Sequence, residues 1–136
     1  MKRLDIEAKI DKLNDVLQFL ETQLEENHCS PKAQVQLDVA VEEIFVNIAH
    51  YAYSNKEDGR AIIDIEFPKD DYVSITFYDK GIPYDPLAKE DPDITLSADD
   101  RPIGGLGIYM VKKSMDEVAY RHENGQNIFT IGKKIS

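Results

Sequence analysis

Three groups of side chains in this 136-residue sequence have the types and spacing for chemistry. Glu43, Asn47 and His50 recur at i, i+4 and i+7, which at 100° per helical residue places them within about 60° of one another. A carboxylate one turn before a carboxamide can serve as general base toward a hydroxyl or a water, beside a hard oxygen ligand suited to magnesium. Asp79-Lys80-Gly81 offers a carboxylate acceptor for an exocyclic amine, such as that of adenine, and a glycine that lets a flat ring approach the backbone. Gly104, Gly105 and Gly107 put three of the seven glycines within four positions. Directly before a helix, glycines leave its first amides uncovered, and those amides with the helix dipole make an anion site.

Each group has a plainer reading. A Glu and an Asn one turn apart are most often a solvated helix face. Asp and Gly are the ordinary residues of turns, and a glycine run before a helix can serve only to turn the chain. Some nucleotide architectures are excluded outright: Gly-x-x-x-x-Gly-Lys-Ser/Thr, Gly-x-Gly-x-x-Gly after a first strand, and the His-Arg-Asp and Asp-Phe-Gly signatures are all absent. His50 has no assigned role.

The elements that must carry these groups follow from periodicity. Residues 2–9 alternate, with Leu4, Ile6 and Ala8 on one face, and predict a strand. From Ile10 the spacing of Leu13, Val16 or Leu17, Leu20 and Leu24 is helical and fades at Glu25-Glu26-Asn27. Ser30-Pro31 reads as an N-cap with proline at the first helical position, opening a second helix that runs to about Tyr53. Its core face holds Leu37, Val41, Ile44, Ile48 and Ala52. Strands follow at 60–67 and 72–78, then about twenty aperiodic residues, 82–103, which read as a functional lid. A third helix begins after the glycines, and strands at 117–122 and 127–134 close the chain around an Asn124-Gly125 hairpin turn. The order predicts an α+β two-layer sandwich, a mixed and mostly antiparallel sheet with three helices on one face.

Composition bounds the partners. The 136 residues predict one domain, and 16 basic against 26 acidic side chains give a net charge of -10. That argues against nucleic acid and against an anionic membrane surface, since both need clustered positive charge. No apolar run is long enough for a membrane span or a signal peptide, so the expected compartment is cytoplasmic. Cys29 is alone, so no intrachain disulfide can form, and with His28 it lacks the further ligands of a zinc site. The acidity is uneven: residues 1–78 carry -8, 79–101 carry -4, and 102–136, with the glycine run, carry +2.

Taken in order, Glu43-x-x-x-Asn47, Asp79-x-Gly81, a long lid and Gly105-x-Gly107 resemble the N, G1 and G2 boxes of the GHKL (Bergerat-fold) ATPases and kinases. More narrowly the chain looks like the bacterial anti-sigma-factor serine/threonine kinases. Val41-Glu42-Glu43-Ile44-Phe45-Val46-Asn47, Tyr84-Asp85-Pro86, Gly105-Leu106-Gly107-Ile108 and Met115-Asp116-Glu117-Val118 carry the likeness. The resemblance implies that Asn47 ligates the Mg2+ bridging the phosphates and that Glu43 is the catalytic carboxylate. It implies that Asp79 reads the adenine amino group while Gly81 makes room for the ring. The run Gly104, Gly105, Leu106 and Gly107 would hold phosphate, Thr130 would support the adenine through its hydroxyl, and Arg101 in the lid is a candidate for the terminal phosphate. Pro83 stands where a glycine is common, and Tyr51 where a histidine or another polar residue is usual.

The expected activity is ATP-dependent phosphorylation of a serine or threonine on an anti-anti-sigma antagonist, together with sequestration of a sigma factor. ATP and Mg2+ are the expected cofactors, and the resemblance suggests a homodimer. Two further readings stay open at this point: a nucleotide-gated binding switch without significant phosphotransfer, and the catalytic fragment of a two-component histidine kinase. Against the latter, no helical dimerisation segment with a phosphoacceptor His precedes the domain in this sequence.

Overall fold

The computed structural model describes residues 1–53, 59–88 and 106–136. Its first strand, β1 (Lys2–Glu7), lies at one edge of a five-stranded sheet. After a 3-10 turn at Ile10–Lys12 comes α1 (Leu13–Glu26), which buries Val16, Leu20 and Leu24 at four-residue intervals. The Cys29 N–H donates to the Leu24 carbonyl and the His28 N–H to that of Glu25, a Schellman closure that places His28 at φ 58°.

Helix α2 (Pro31–Asn47) opens as expected, with the Ala33 N–H donating to the Ser30 hydroxyl at 3.2 Å and proline in the first turn. It does not remain α-helical to Tyr53. Over Ile48–Ala52 the turn widens to a π-helix, a feature frequent at functional sites.

The remaining elements are β2 (Arg60–Lys69), β3 (Tyr72–Asp79), a 3-10 turn at Pro86–Ala88, α3 (Leu106–Ser114), β4 (Glu117–Glu123) and β5 (Gln126–Lys134). Asn124 and Gly125 both take positive φ, as a two-residue hairpin of this twist requires. The strands order β1-β2-β3-β5-β4. Every neighbouring pair is antiparallel, so the sheet has no mixed pairing. Of the segment read as a lid, the structure describes residues 82–88; 89–103 lie outside the described residues.

Helix α2 packs against both α1 and α3, and the helices share one core with a single face of the sheet. Register decides which strand residues face that core. Leu4, Ile63, Phe77, Phe129 and Tyr120 form one transverse row on the helix side, and Ile6, Ala61, Asp79, Asn127 and His122 form the next. The row on the other side of the Leu4 row, Arg3, Asp64, Thr76, Thr130 and Ala119, points to the opposite face. There Arg3 holds the buried Asp64 with two hydrogen bonds of 2.7 and 2.8 Å.

Candidate functional site

A cleft lies between the cleft-facing side of α2 and the row of the sheet that ends in Asp79. Ile44, Asn47, Ile48 and Ala52 form the helix wall, Asp79, Asn127, Phe129 and Tyr120 the sheet wall, and Tyr84, Pro86 and Ile108 the rim. Its lining is mainly apolar, with a few convergent polar groups, which suits a flat ring bearing one or two polar edges.

Asp79 ends β3 on the core side and is 6% exposed. Its Oδ1 accepts from the Gly81 N–H at 2.9 Å and from Asn127 Nδ2 at 2.8 Å. Burial pushes the Asp79 carboxyl up from its ordinary pKa, and the donors Asn127 and Gly81, with His122 nearby, act against that push. A buried carboxylate so placed accepts a hydrogen bond from a ligand amine and disfavours a ligand carbonyl.

The backbone around Asp79 is fixed from α2. A Cβ on Gly81 would overlap the Ala52 carbonyl, and the Ile82 N–H donates to that same oxygen at 2.9 Å. Gly81 does not have positive φ, so position 81 needs glycine for space rather than for conformation. The Tyr53 hydroxyl then bridges the strand ends, donating to the Arg60 carbonyl and accepting from the Lys80 N–H, each at 2.6 Å. The widened turn at Ile48–Ala52 therefore carries the points that hold the Asp79 segment against the helix.

Glu43 occupies the other end of the cleft-facing stripe. It is half-buried, and a Cβ on Gly107 in the first turn of α3 would overlap its carboxylate. Burial, then the neighbouring Glu42, raises its pKa from the ordinary carboxylate value, the direction that suits a base working near neutral pH. Glu43 and Ala52 stand nine positions apart, across the end of α2 and the π-helical turn. The carboxylates of Asp79 and Glu43 thus lie toward different ends of this helical segment, with Asn47 between Glu43 and Ala52.

Asn47 and Asp79 line this cleft; Gly81 abuts Asp79 and Ala52 at its edge, and Glu43 and Gly107, each next to a lining residue, Ile44 and Ile108, meet one another. Leu106 begins α3. Gly104, Gly105 and Arg101 lie outside the described residues. Thr130 is not brought to it. It stands three residues beyond Asn127 on β5, so alternation turns it to the opposite face, where its hydroxyl meets that of Thr76 at 3.2 Å. The β5 residue that supports Asp79 is Asn127, which the sequence reading passed over. Its signal lay in the Asn124-Gly125 turn, which sets β4–β5 register, but opposition to Asp79 needs the non-local β3–β5 pairing as well. His50 is exposed and packs edge to face with Tyr51 at 6.0 Å.

Known proteins resemble this chain in sequence and fold. The chain is 23% identical to the serine/threonine-protein kinase BtrW of Bordetella bronchiseptica, over 94% of this chain and 89% of that protein. It is 30% identical to an anti-sigma F factor of Clostridium beijerinckii, over 70% of this chain and 66% of that protein. Relatives named serine-protein kinase RsbW, such as that of Bacillus cereus, match at 29% identity, and the match spans 59% of their length. Among solved structures, the RsbU and RsbW domains of Rv1364c from Mycobacterium tuberculosis superpose with a TM-score of 0.65 over 99% of this chain and 33% of that one, at 15% identity. That likeness carries the fold. A model of the histidine kinase-like ATPase domain matches residues 6–133, so this chain belongs to that ATPase family.

Proposed function

We propose that this chain binds Mg-ATP and transfers the γ-phosphoryl group to a serine or threonine of a protein antagonist, and that it alternates this with holding a sigma factor. The names of the kinase and anti-sigma relatives support the reading. The observation that carries it is the buried Asp79 carboxylate beside the Ala52 end of the helical segment and the half-buried Glu43 carboxylate, against Gly107, at the other end. Asp79 accepts from the exocyclic amine of adenine, the apolar walls take the ring, and the Gly81 backbone gives it room. The triphosphate then runs along α2 toward Glu43 and the start of α3, since a helix N-terminus favours anionic oxygens.

The donor set fits magnesium. Among the described residues no three His, Cys, Asp or Glu side chains gather into a metal cluster. A single carboxamide oxygen from Asn47, completed by phosphate oxygens and water, is a usual way of holding that ion. When bound, magnesium neutralises charge on the phosphates and orients them. Glu43 accepts the proton of the attacking hydroxyl as the new oxygen–phosphorus bond forms and the bond to the β-phosphate oxygen breaks, releasing ADP.

In this reading the chain is one domain with a lid at about 82–103, acts in the cytoplasm and forms a homodimer. No described helix is long and apolar enough to cross a membrane. The test is Glu43→Ala with ATP affinity and phosphotransfer measured separately, using the protein that co-purifies from the source cell as acceptor. Transfer should fall by about 10²-fold or more while ATP affinity stays within about threefold. Unchanged transfer would remove Glu43 as base. ATP-dependent partner binding with no transfer in the parent protein would favour the nucleotide-gated switch.

A further inference from the structure

We propose that Asn127 is a positioning residue for base recognition: its carboxamide is wholly occupied in holding Asp79 and the segments around it, and this sets the preference for a 6-aminopurine over a 6-oxopurine. The proposal rests on the nucleotide-binding reading above and names the residue that gives that site its selectivity.

Asn127 is 6% exposed, as is Asp79. Its Nδ2 donates to Asp79 Oδ1 at 2.8 Å and to the Ile82 carbonyl at 2.8 Å. Its Oδ1 accepts from the Tyr84 N–H at 3.3 Å and from the Tyr120 hydroxyl. Two acceptors face the nitrogen and two donors face the oxygen, so the reversed amide would set like against like at Asp79, the Ile82 carbonyl and the Tyr84 N–H, with only the Tyr120 hydroxyl able to change role. One side chain on β5 thus ties the end of β3, the chain after it and β4 together.

The amide has no capacity left for a ligand. It takes up Asp79 Oδ1 jointly with the Gly81 N–H, and every described hydrogen bond to Asp79 falls on that oxygen, so Oδ2 is the atom left to read the base. An acceptor alone then meets the ligand edge. An amine is bound, and a carbonyl at the same place, as on guanine, is rejected because both groups are left unpaired.

Asn127→Asp keeps the shape and removes the N–H donor. Two carboxyl groups at this separation cannot both ionise readily. At pH 6 the pair keeps one proton, which can replace the lost donor or point from Asp79 toward a ligand carbonyl. At pH 9 both ionise and repel. The other ionisable groups around position 127 are Tyr120 and His122 on β4 and Tyr84 and Asp85 after β3. The parent protein carries all of them, so it is the control for their titration.

The experiment is calorimetric titration of the full chain and its Asn127→Asp variant with Mg-ATP and with Mg-GTP from pH 6 to 9. The parent should prefer ATP with little pH dependence. The variant should bind ATP within about threefold of the parent at pH 6, lose about tenfold or more by pH 9, and show an ATP-over-GTP preference about tenfold smaller at pH 6. A folded variant with a flat profile and the parental preference overturns the proposal and leaves ATP binding standing. A parent that binds no ATP overturns the nucleotide reading and this inference together. Should Asn127→Asp not fold, Asn127→Ser, too short to span Asp79 and the Ile82 carbonyl, should cut the ATP-over-GTP preference about tenfold; an unaltered preference overturns the proposal.

Discussion

Replacing Gly81 by alanine adds one methyl group where the structure has the Ala52 carbonyl. The obstacle is backbone, so it cannot swing aside as a side-chain tip would. Either the turn after α2 or the segment after β3 must move, and both are held by the Ile82 N–H bond to Ala52 and by the Gly81 N–H bond to Asp79. Overpacking of this kind costs about 1–3 kcal/mol, and a lost or stretched backbone hydrogen bond adds about 0.5–1.5 kcal/mol. A total of about 2–4 kcal/mol is a sizeable share of the roughly 5–15 kcal/mol that holds a small domain together. Urea unfolding should show the loss as a lower midpoint with unchanged slope, and Mg-ATP titration should show about tenfold weaker binding as Asp79 loses a donor. Gly107→Ala is the contrasting case. Its methyl would meet the far end of the Glu43 side chain, which can move, so stability should change by less than about 1 kcal/mol. Phosphotransfer should nevertheless drop by about 10²-fold with ATP affinity nearly unchanged. If Gly81→Ala unfolds within about 0.5 kcal/mol of the parent and binds ATP equally well, the close approach at Ala52 does not hold the base end of the site, and the reasoning fails.

Other outcomes follow from single contacts. Burial, and then Glu21 and Glu42, pushes Asp38 from 3.8 up to about 6, and its Oδ1 is buried without a hydrogen-bond partner. The folded chain therefore favours the protonated acid: the penalty is absent below about pH 4, grows as pH rises toward 6, and is full above it. With solvent screening taken into account, Asp38→Asn should stabilise by about 1 kcal/mol at pH 8 and by almost nothing at pH 4 in urea unfolding. His28→Gly relieves a left-handed conformation at the end of α1 and should raise stability by about 0.5–1 kcal/mol; a decrease would contradict that account. Tyr53→Phe removes the hydroxyl bridge between Arg60 and Lys80 and should cost about 1–2 kcal/mol, with a measurable weakening of ATP binding because Lys80 adjoins Asp79.

The features legible in the sequence are those whose physics is local. The Ser30-Pro31 helix start, the Asn124-Gly125 turn and the strand alternation of Leu4 and Ile6 are each set by a few neighbouring residues. Glu43, Asn47 and Asp79 were legible because helix period and strand termination fixed their places. What escaped was non-local. Nothing within β5 says that it pairs with β3, and without that pairing Asn127 cannot be set opposite Asp79 or Thr130 assigned to the far face. The hydroxyl of Thr130 fitted the resemblance in type and failed it in parity. The widening at Ile48–Ala52 was equally hidden, since its residues continue the apolar pattern of α2, and so was the half-burial of Glu43, which depends on the glycine of a distant helix.

The most direct test of the central claim is titration of the parent and of Asp79→Asn with Mg-ATP at neutral pH. The account predicts one saturable ATP site in the parent and a loss of about 10- to 100-fold in the variant, the worth of a hydrogen bond to a charged group. No binding by the parent, or equal binding by both, would contradict it.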